Sequence, residues 1–366
     1  MDHPLNANAL FQPLQLGRTQ LANRIAMAPL TRNRANDALE PTAMTVEYYR
    51  QRASAGLIIA EATQISPSAQ GYTHTPGLHT PGQIAAWKLV TDAVHAAGGK
   101  IFVQLWHTGR MSHNAFQPGE KAPVAPSAIA AKAKTYIAGQ GYVDCAVPRA
   151  LETAEIAGVV NDFRQAAANA IAAGFDGVEI HGAHGYLLDA FLRDGSNHRT
   201  DQYGGSIENR ARLLLEVMAA VTQEIGAERT GIRLSPVSPV NDSSESQPQP
   251  LFEHVVRALD KLHPVYIHVV EGHTGGPRDN APFDYAALRR LYKGLWMVNN
   301  GYTREMAIDA IASGRADMVS FGRAMLTTPD WPRRLRENLP ANAPFADAPI
   351  YGGTGPHGYT DYPALP

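Results

Sequence analysis

FDGVEIHGAH (Phe175–His184) is a short apolar run that ends in two histidines and leads to an amphipathic stretch, Asn209–Ile225. The run is β-branched at its centre, and its polar residues gather at its C-terminal end. The same unit repeats on both sides. Upstream are NRIAMAPLT (Asn23–Thr31) before Thr45–Ala55, and GLIIAEATQI (Gly56–Ile65) before Pro81–Ala97. KIFVQLWH (Lys100–His107) follows, its helix delayed to Leu151–Ala173. Downstream, TGIRLSP (Thr230–Pro236) precedes Leu251–Leu262, and VYIHVVEG (Val265–Gly272) precedes Asp284–Tyr292. LWMVNNG (Leu295–Gly301) precedes Thr303–Ser313, and ADMVSFGR (Ala316–Arg323) precedes Pro329–Asn338.

Near-continuous apolar runs suit parallel strands buried on both faces, joined by right-handed helical crossovers. Eight such strand–helix units predict an α/β fold of the (β/α)8 TIM-barrel type, with residues 1–366 forming one domain. An open doubly wound sheet is the competing architecture, but no strand is followed by a GxGxxG phosphate turn. Leu10–Leu21 reads as a hairpin that caps the N-terminal mouth of the barrel. The Arg110–Ala150 excursion after the third strand is too long for a simple connection and is expected to shape a pocket. The C-terminal segment, residues 340–366, carries YGGTGPHGYTDYP (Tyr351–Pro363), which is expected to fold back over the strand ends. NDSSESQPQP (Asn241–Pro250) reads as an exposed polar loop.

Composition narrows the function class. A net charge of −2 with no basic stripe argues against nucleic acid as a partner. The single cysteine, Cys145, excludes an intrachain disulfide framework and fits a reducing compartment. No secretory signal is evident in MDHPLNANALF, and no apolar run approaches the length needed to span a bilayer. A cytoplasmic protein, monomeric or a homodimer, is expected.

In a barrel of this type chemistry sits at the C-terminal ends of the strands. Those ends carry Thr31, Gln64, Gln104, Trp106, His107, His181, His184, Arg233 and Arg323. His181 and His184 can converge as donors on one oxygen, with Tyr186 as a proton donor, because a phenol is protonated at pH 7. The same pair with Glu179 also reads as a metal site, although further ligands of the kind such sites need are missing. Gly301, Gly322 and Arg323 lie after the seventh and eighth strands, where this fold commonly cradles a phosphate. Arg233 reads equally well as one half of an ion pair, and Gln104 as a satisfier of buried backbone groups.

The chain resembles the Old Yellow Enzyme family of FMN-dependent ene-reductases. The matching blocks are MAPLTR (Met27–Arg32), EYYRQRASAGLIIAEATQIS (Glu47–Ser66), VQLWHTGRMSH (Val103–His113), GFDGVEIHGAHGYLLDAFL (Gly174–Leu192) and RTDQYGGSIENRARLLLEV (Arg199–Val217), with FGRAM and GYTDYP. They run over nearly the whole chain, and the match is greatest to the branch of bacterial N-ethylmaleimide and pentaerythritol tetranitrate reductases. Many family members carry Asn where this chain has His184. The loops Asn241–Pro250 and EGHTGGPRDNAP (Glu271–Pro282) depart from close relatives.

The resemblance implies non-covalent FMN, reduced by NADPH or NADH. It implies small electrophilic alkenes as substrates, activated by a carbonyl or nitro group, with nitro compounds and nitrate esters as further oxidants and phenols as inhibitors. Thr31 would bond the flavin O4; Pro29, Ala62 and Gln104 would line the ring; Arg233 would sit by N1 and the C2 carbonyl. Gly301, Gly322 and Arg323 would hold the phosphate. His181 and His184 would bind the activating oxygen, Tyr186 would supply the proton, and Tyr72, Trp106 and Tyr351 would line the substrate pocket. No metal is implied.

Overall fold

The computed structural model describes residues 7–278 and 282–366. Residues 1–6, part of the segment read for a signal, lie outside them, as do residues 279–281 of the loop after the sixth strand. Eight parallel strands close into a barrel in sequence order: β1 (Ile25–Met27), β2 (Leu57–Gln64), β3 (Ile101–Trp106), β4 (Gly177–Gly182), β5 (Thr230–Leu234), β6 (Tyr266–Val270), β7 (Leu295–Asn299) and β8 (Met318–Phe321). Each expected run contains its strand, but most strands stop short of the polar ends, because those residues leave the ladder for the loops. The eight expected helices are present, with two further short ones, Leu187–Leu192 and Arg323–Thr327.

The outer helices bury one face each against the strands. Ile207–Ile225 starts at Ser206, whose side chain accepts from the Asn209 amide, and stops at Gly226 with φ 95°. Between those ends Leu213, Leu214, Val217, Met218 and Val221 recur at helical spacing and are fully buried. Each such side chain contributes on the order of 1.5–3 kcal/mol by leaving water.

The barrel interior is layered. The hairpin strands Leu14–Leu16 and Thr19–Leu21 lie across the N-terminal mouth, as expected, and plug it with Leu16 and Leu21. These pack on Ala26, Leu57, Ile59, Phe102, Met297 and Met318. Two aromatic rings then need room at the barrel centre, and glycines on neighbouring strands provide it. A Cβ on Gly231 would sit 2.4 Å from Cζ of Tyr266, its registered partner, and one on Gly177 would sit 2.5 Å from the Phe102 ring.

The excursion after β3 forms an antiparallel hairpin, Lys134–Ile137 with Gly141–Asp144, and a short parallel pair, Val124–Ala125 with Arg149–Ala150. Met111, Ala131 and Cys145 form a small cluster within it, against which Tyr186 packs. The Asn241–Pro250 segment is exposed at Asp242, Ser244, Ser246, Gln247 and Pro250, as expected of a polar loop, but turns inward at two positions. Ser243 and the Glu245 side chain are buried, and Glu245 holds Arg210 at 2.8 Å. Helix Pro248–Leu262 has already begun before the segment ends. A carboxylate that meets a buried guanidinium draws a polar-looking segment inward.

Gly231→Ala is expected to lower stability by about 1–3 kcal/mol, because its methyl group must displace the Tyr266 ring. Urea unfolding of the two proteins measures this, and an unchanged midpoint would mean that the ring has room to move.

Candidate active site

The register of the barrel stacks polar residues in levels. Gln104, Glu179 and Tyr266 share one level, through the pairings Glu179↔Gln104, Glu179↔Gly231 and Gly231↔Tyr266. His181, Arg233 and His268 share the level nearer the strand C-termini. Glu179 is fully buried and accepts three hydrogen bonds: from Gln104 Nε2 at 2.8 Å, Tyr266 Oη at 3.1 Å and His268 Nδ1 at 2.8 Å. Burial holds His268 below its ordinary pKa, so its ring is neutral near pH 7. Nδ1–H then donates to Glu179, and Nε2 accepts from Ser320 Oγ at 2.7 Å. Glu179 is thus the acceptor for three neighbours, and no group of three ligand side chains suited to a metal ion forms among the described residues.

Arg233 is expected either in an ion pair or beside a ligand. Its Nη2 donates to Asn299 Oδ1 at 2.9 Å, and Asn299 in turn donates to the Ser320 carbonyl. Nε, although buried, meets no partner among the described residues. Burial disfavours its charge, and the Glu179 carboxylate at longer range works against that. An unpaired guanidinium in a buried site is costly, so the geometry calls for an electron-rich partner above it.

His181, His184, Tyr186, Trp106 and Tyr72 form one aromatic-lined pocket. The His181 ring stacks on Trp106 at 6.1 Å and meets the edges of His184 at 5.6 Å and Tyr186 at 4.9 Å. Tyr72 lies parallel to Trp106 at 5.8 Å, and its hydroxyl is 3.2 Å from that of Tyr186. His184 has φ 60°, a left-handed backbone that costs a histidine free energy. Two side chains from the loop after β5 hold it there. Ser235 Oγ accepts from the His184 amide at 2.8 Å, and Asn241 Nδ2 donates to its carbonyl at 2.9 Å. Burial, and next the Arg233 charge, push both His181 and His184 well below the ordinary histidine pKa. Burial pushes the Tyr186 phenol up to about 12. At neutral pH the pocket therefore presents two neutral imidazoles and a protonated phenol. Nδ1 of His181 and Nε1 of Trp106 have no partner among the described residues.

The expected cofactor residues surround the same end of the barrel. β1 and β8 are neighbours, so Pro29 and Thr31 emerge beside Gly322, and Leu30 Cδ2 lies 3.4 Å from where a Gly322 Cβ would be. Ala62 falls where the β2–β3 register slips, between Ala60 and Thr63, a bulge that re-aims the strand opposite Gln104. Gly301 has φ 65°, and its missing Cβ would meet open space. Arg323 Nη2 reaches across to the Gly275 carbonyl at 3.3 Å, and Asn300 ties the same loop by accepting from the Gly275 amide at 3.0 Å. Donors at one end, a guanidinium whose Nε has no partner among the described residues in the middle, and open backbone with an arginine at the other suit an elongated, electron-rich ligand that ends in a phosphate.

Some of this was not legible in the sequence. Asn299, His268, Ser320 and Thr274 act only through cross-strand or cross-loop contacts. Arg32 and Arg34 grip the C-terminal segment, with Arg32 Nη2 donating to the Gly358 carbonyl at 2.8 Å and Arg34 Nη1 to that of Gly355 at 2.6 Å. Tyr359 stacks on Tyr48 at 4.4 Å beneath them, so the tail does fold back onto the loop after β1. That leaves Tyr351 at the surface, 60% exposed.

With both imidazoles neutral, turnover between pH 8 and pH 6 is expected to show no loss traceable to their protonation. A pH–rate profile checks this. A decline centred near the ordinary histidine value that vanished in His181→Gln would contradict it.

Comparisons with known proteins place the whole chain. Residues 9–342 match the model of the NADH:flavin oxidoreductase / NADH oxidase family. The chain is 43% identical over 364 residues to 12-oxophytodienoate reductase 2 of Arabidopsis thaliana, covering 97% of this chain and 96% of that protein. Morphinone reductase in complex with tetrahydroNAD superposes with a TM-score of 0.92 at 45% identity over 98% of each chain. The Old Yellow Enzyme homologue of Zymomonas mobilis gives a TM-score of 0.93 at 44% identity, over 97% of this chain and 99% of that one. With its barrel, the family match over residues 9–342 and 43–45% identity to these relatives over almost its full length, the chain belongs to the Old Yellow Enzyme family and is a flavin-dependent oxidoreductase.

Proposed function

We propose that this flavin-dependent oxidoreductase is an ene-reductase that binds FMN and takes electrons from NADPH or NADH to saturate carbon–carbon double bonds activated by a carbonyl or nitro group. The observation that carries the reading is the convergence of two neutral imidazoles and a protonated phenol within one stacked pocket. The family description names NADH and flavin, and one relative is described in complex with tetrahydroNAD. Two of the relatives are a 12-oxophytodienoate reductase and a morphinone reductase.

Bound FMN would supply the hydride that the alkene receives. His181 and His184 would hold the activating oxygen by N–H donation. As charge gathers on that oxygen these bonds strengthen, so they stabilise the transition state more than the bound alkene. Tyr186 would donate its phenolic proton to the carbon next to the activating group, and Tyr72, 3.2 Å away, is placed to support that hydroxyl. Trp106 and Tyr72 wall the pocket and exclude water, with Tyr351 at its rim. Arg233 would face the electron-rich pyrimidine edge of the cofactor. Gln104, whose Nε2 is fixed on Glu179, would present the rest of its amide there, beside Thr31, Pro29 and Ala62. Gly301, Gly322 and Arg323 would hold the phosphate. Nitro compounds and nitrate esters fit the same pair of donors, and phenols would occupy it as inhibitors.

Anaerobic stopped-flow with 2-cyclohexenone or N-ethylmaleimide tests the reading. His184→Ala is expected to slow alkene turnover by about 10²–10³ while FMN stays bound. Tyr186→Phe should slow re-oxidation by about 10²–10⁴ and leave reduction by nicotinamide intact. A selective loss of the reductive step would refute the proton-donor role. Arg323→Ala should lower flavin occupancy, measured as the ratio of flavin to protein absorbance, and full occupancy would refute the phosphate role.

A further inference from the structure

His184 is the one member of the histidine pair whose ring is tied to another loop. Its Nε2 lies 2.8 Å from Oγ1 of Thr274, in the loop after β6. That contact alone leaves the proton on either atom, and the choice matters. If Nε2 carries it, Nδ1 is a bare lone pair and repels an oxygen. If Thr274 carries it, His184 must be protonated on Nδ1 and can donate.

The neighbours resolve the choice. Ser238 Oγ, 1% exposed in the loop after β5, accepts from the Thr274 amide at 3.4 Å and lies 3.1 Å from Thr274 Oγ1. No other acceptor for the Ser238 hydroxyl proton occurs among the described residues, and a buried O–H left without one is costly. The Ser238 proton therefore goes to Thr274 Oγ1, and although Thr274 is itself exposed, His184 Nε2 at 2.8 Å is the acceptor that remains for the Thr274 proton among the described residues. A ring held neutral by burial and by Arg233 has a single proton, and with Nε2 accepting, that proton is on Nδ1.

We propose that Ser238 and Thr274 are positioning residues that lock His184 in its Nδ1–H tautomer, so that this side of the pocket is a hydrogen-bond donor and selects ligands with an accepting or anionic oxygen. The proposal rests on the reading of His184 as an oxygen-binding residue. It gives the loop after β6 a task in substrate choice that neither the barrel nor the cofactor cradle performs. A second hydroxyl, Ser235, holds the His184 backbone, so the ring's position and its tautomer are set by different side chains.

The flavin-loaded full chain is titrated with p-nitrophenol, following the flavin absorbance, in the wild type and in Thr274→Val, Thr274→Ser, Ser238→Ala and His184→Ala. The 15N imidazole signals of His184, assigned by their loss in His184→Ala, are read in the same proteins. Expected are a bare Nε2 and a protonated Nδ1 in the wild type and in Thr274→Ser. Thr274→Val should show mixed tautomers and p-nitrophenol binding weaker by about 3- to 10-fold, with Ser238→Ala changed in the same direction. Flavin content and thermal midpoint should stay at wild-type values, and their loss in both Thr274→Val and Ser238→Ala would mark a structural role and overturn the proposal. Unaltered tautomer and affinity in Thr274→Val, with His184→Ala weakened, would overturn it while sparing the oxygen-binding role. Unaltered affinity in His184→Ala would overturn the oxygen-binding role itself.

Discussion

A carboxylate buried at the centre of the barrel organises the rest of the site. Glu179 is fully buried and forms no ion pair with an arginine or lysine among the described residues, so it is tolerable only while its three donors stay in place. Each donor is thereby held in one orientation. Gln104 turns its amide nitrogen inward, Tyr266 fills the space left by Gly231, and His268 passes the constraint to Ser320. The apolar plug formed by the hairpin closes the floor beneath this layer and keeps water from reaching it.

The level above turns that order into a reactive surface. Arg233 is attracted by Glu179, but among the described residues its side chain is bonded only to the neutral Asn299 and its Nε has no partner. Burial, and next this charge, keeps His181 and His184 neutral. One buried guanidinium thus supports both halves of the proposed chemistry. It would offer a counter-charge to an electron-rich cofactor, and it adds to the burial that leaves each histidine with one proton. A cationic imidazole in that place would bind anions too firmly to distinguish the transition state from the bound ligand.

How much of this could be read beforehand follows the range of the interactions. The eight strands were visible because a parallel barrel buries each strand on both faces, which leaves a local apolar run. The candidate site residues could be listed because strand ends are where this fold carries polarity, and because the HGAHGY block is distinctive. Residues that act through register were not visible: nothing local marks His268 or Ser320 as partners of Glu179, or Gly231 as the seat of a tyrosine ring. The 241–250 segment misled in part because its composition is that of a solvated loop, whereas Glu245 is drawn in by Arg210, which lies far from it in the chain. Likewise the grip of Arg32 and Arg34 on Gly358 and Gly355 joins the two ends of the barrel sequence, and no window of sequence contains both partners.

The central claim is that an alkene receives hydride at one carbon and a proton at the other, while its activating oxygen rests on two histidines. Isotope tracing tests it most directly. 2-Cyclohexenone is turned over with [4-²H]nicotinamide in ordinary water, then with unlabelled nicotinamide in D2O, and the product is read by NMR. The account predicts cyclohexanone with deuterium from the nicotinamide at the carbon β to the carbonyl and deuterium from solvent at the α-carbon. An allylic alcohol labelled at the former carbonyl carbon, with the double bond intact, would contradict it.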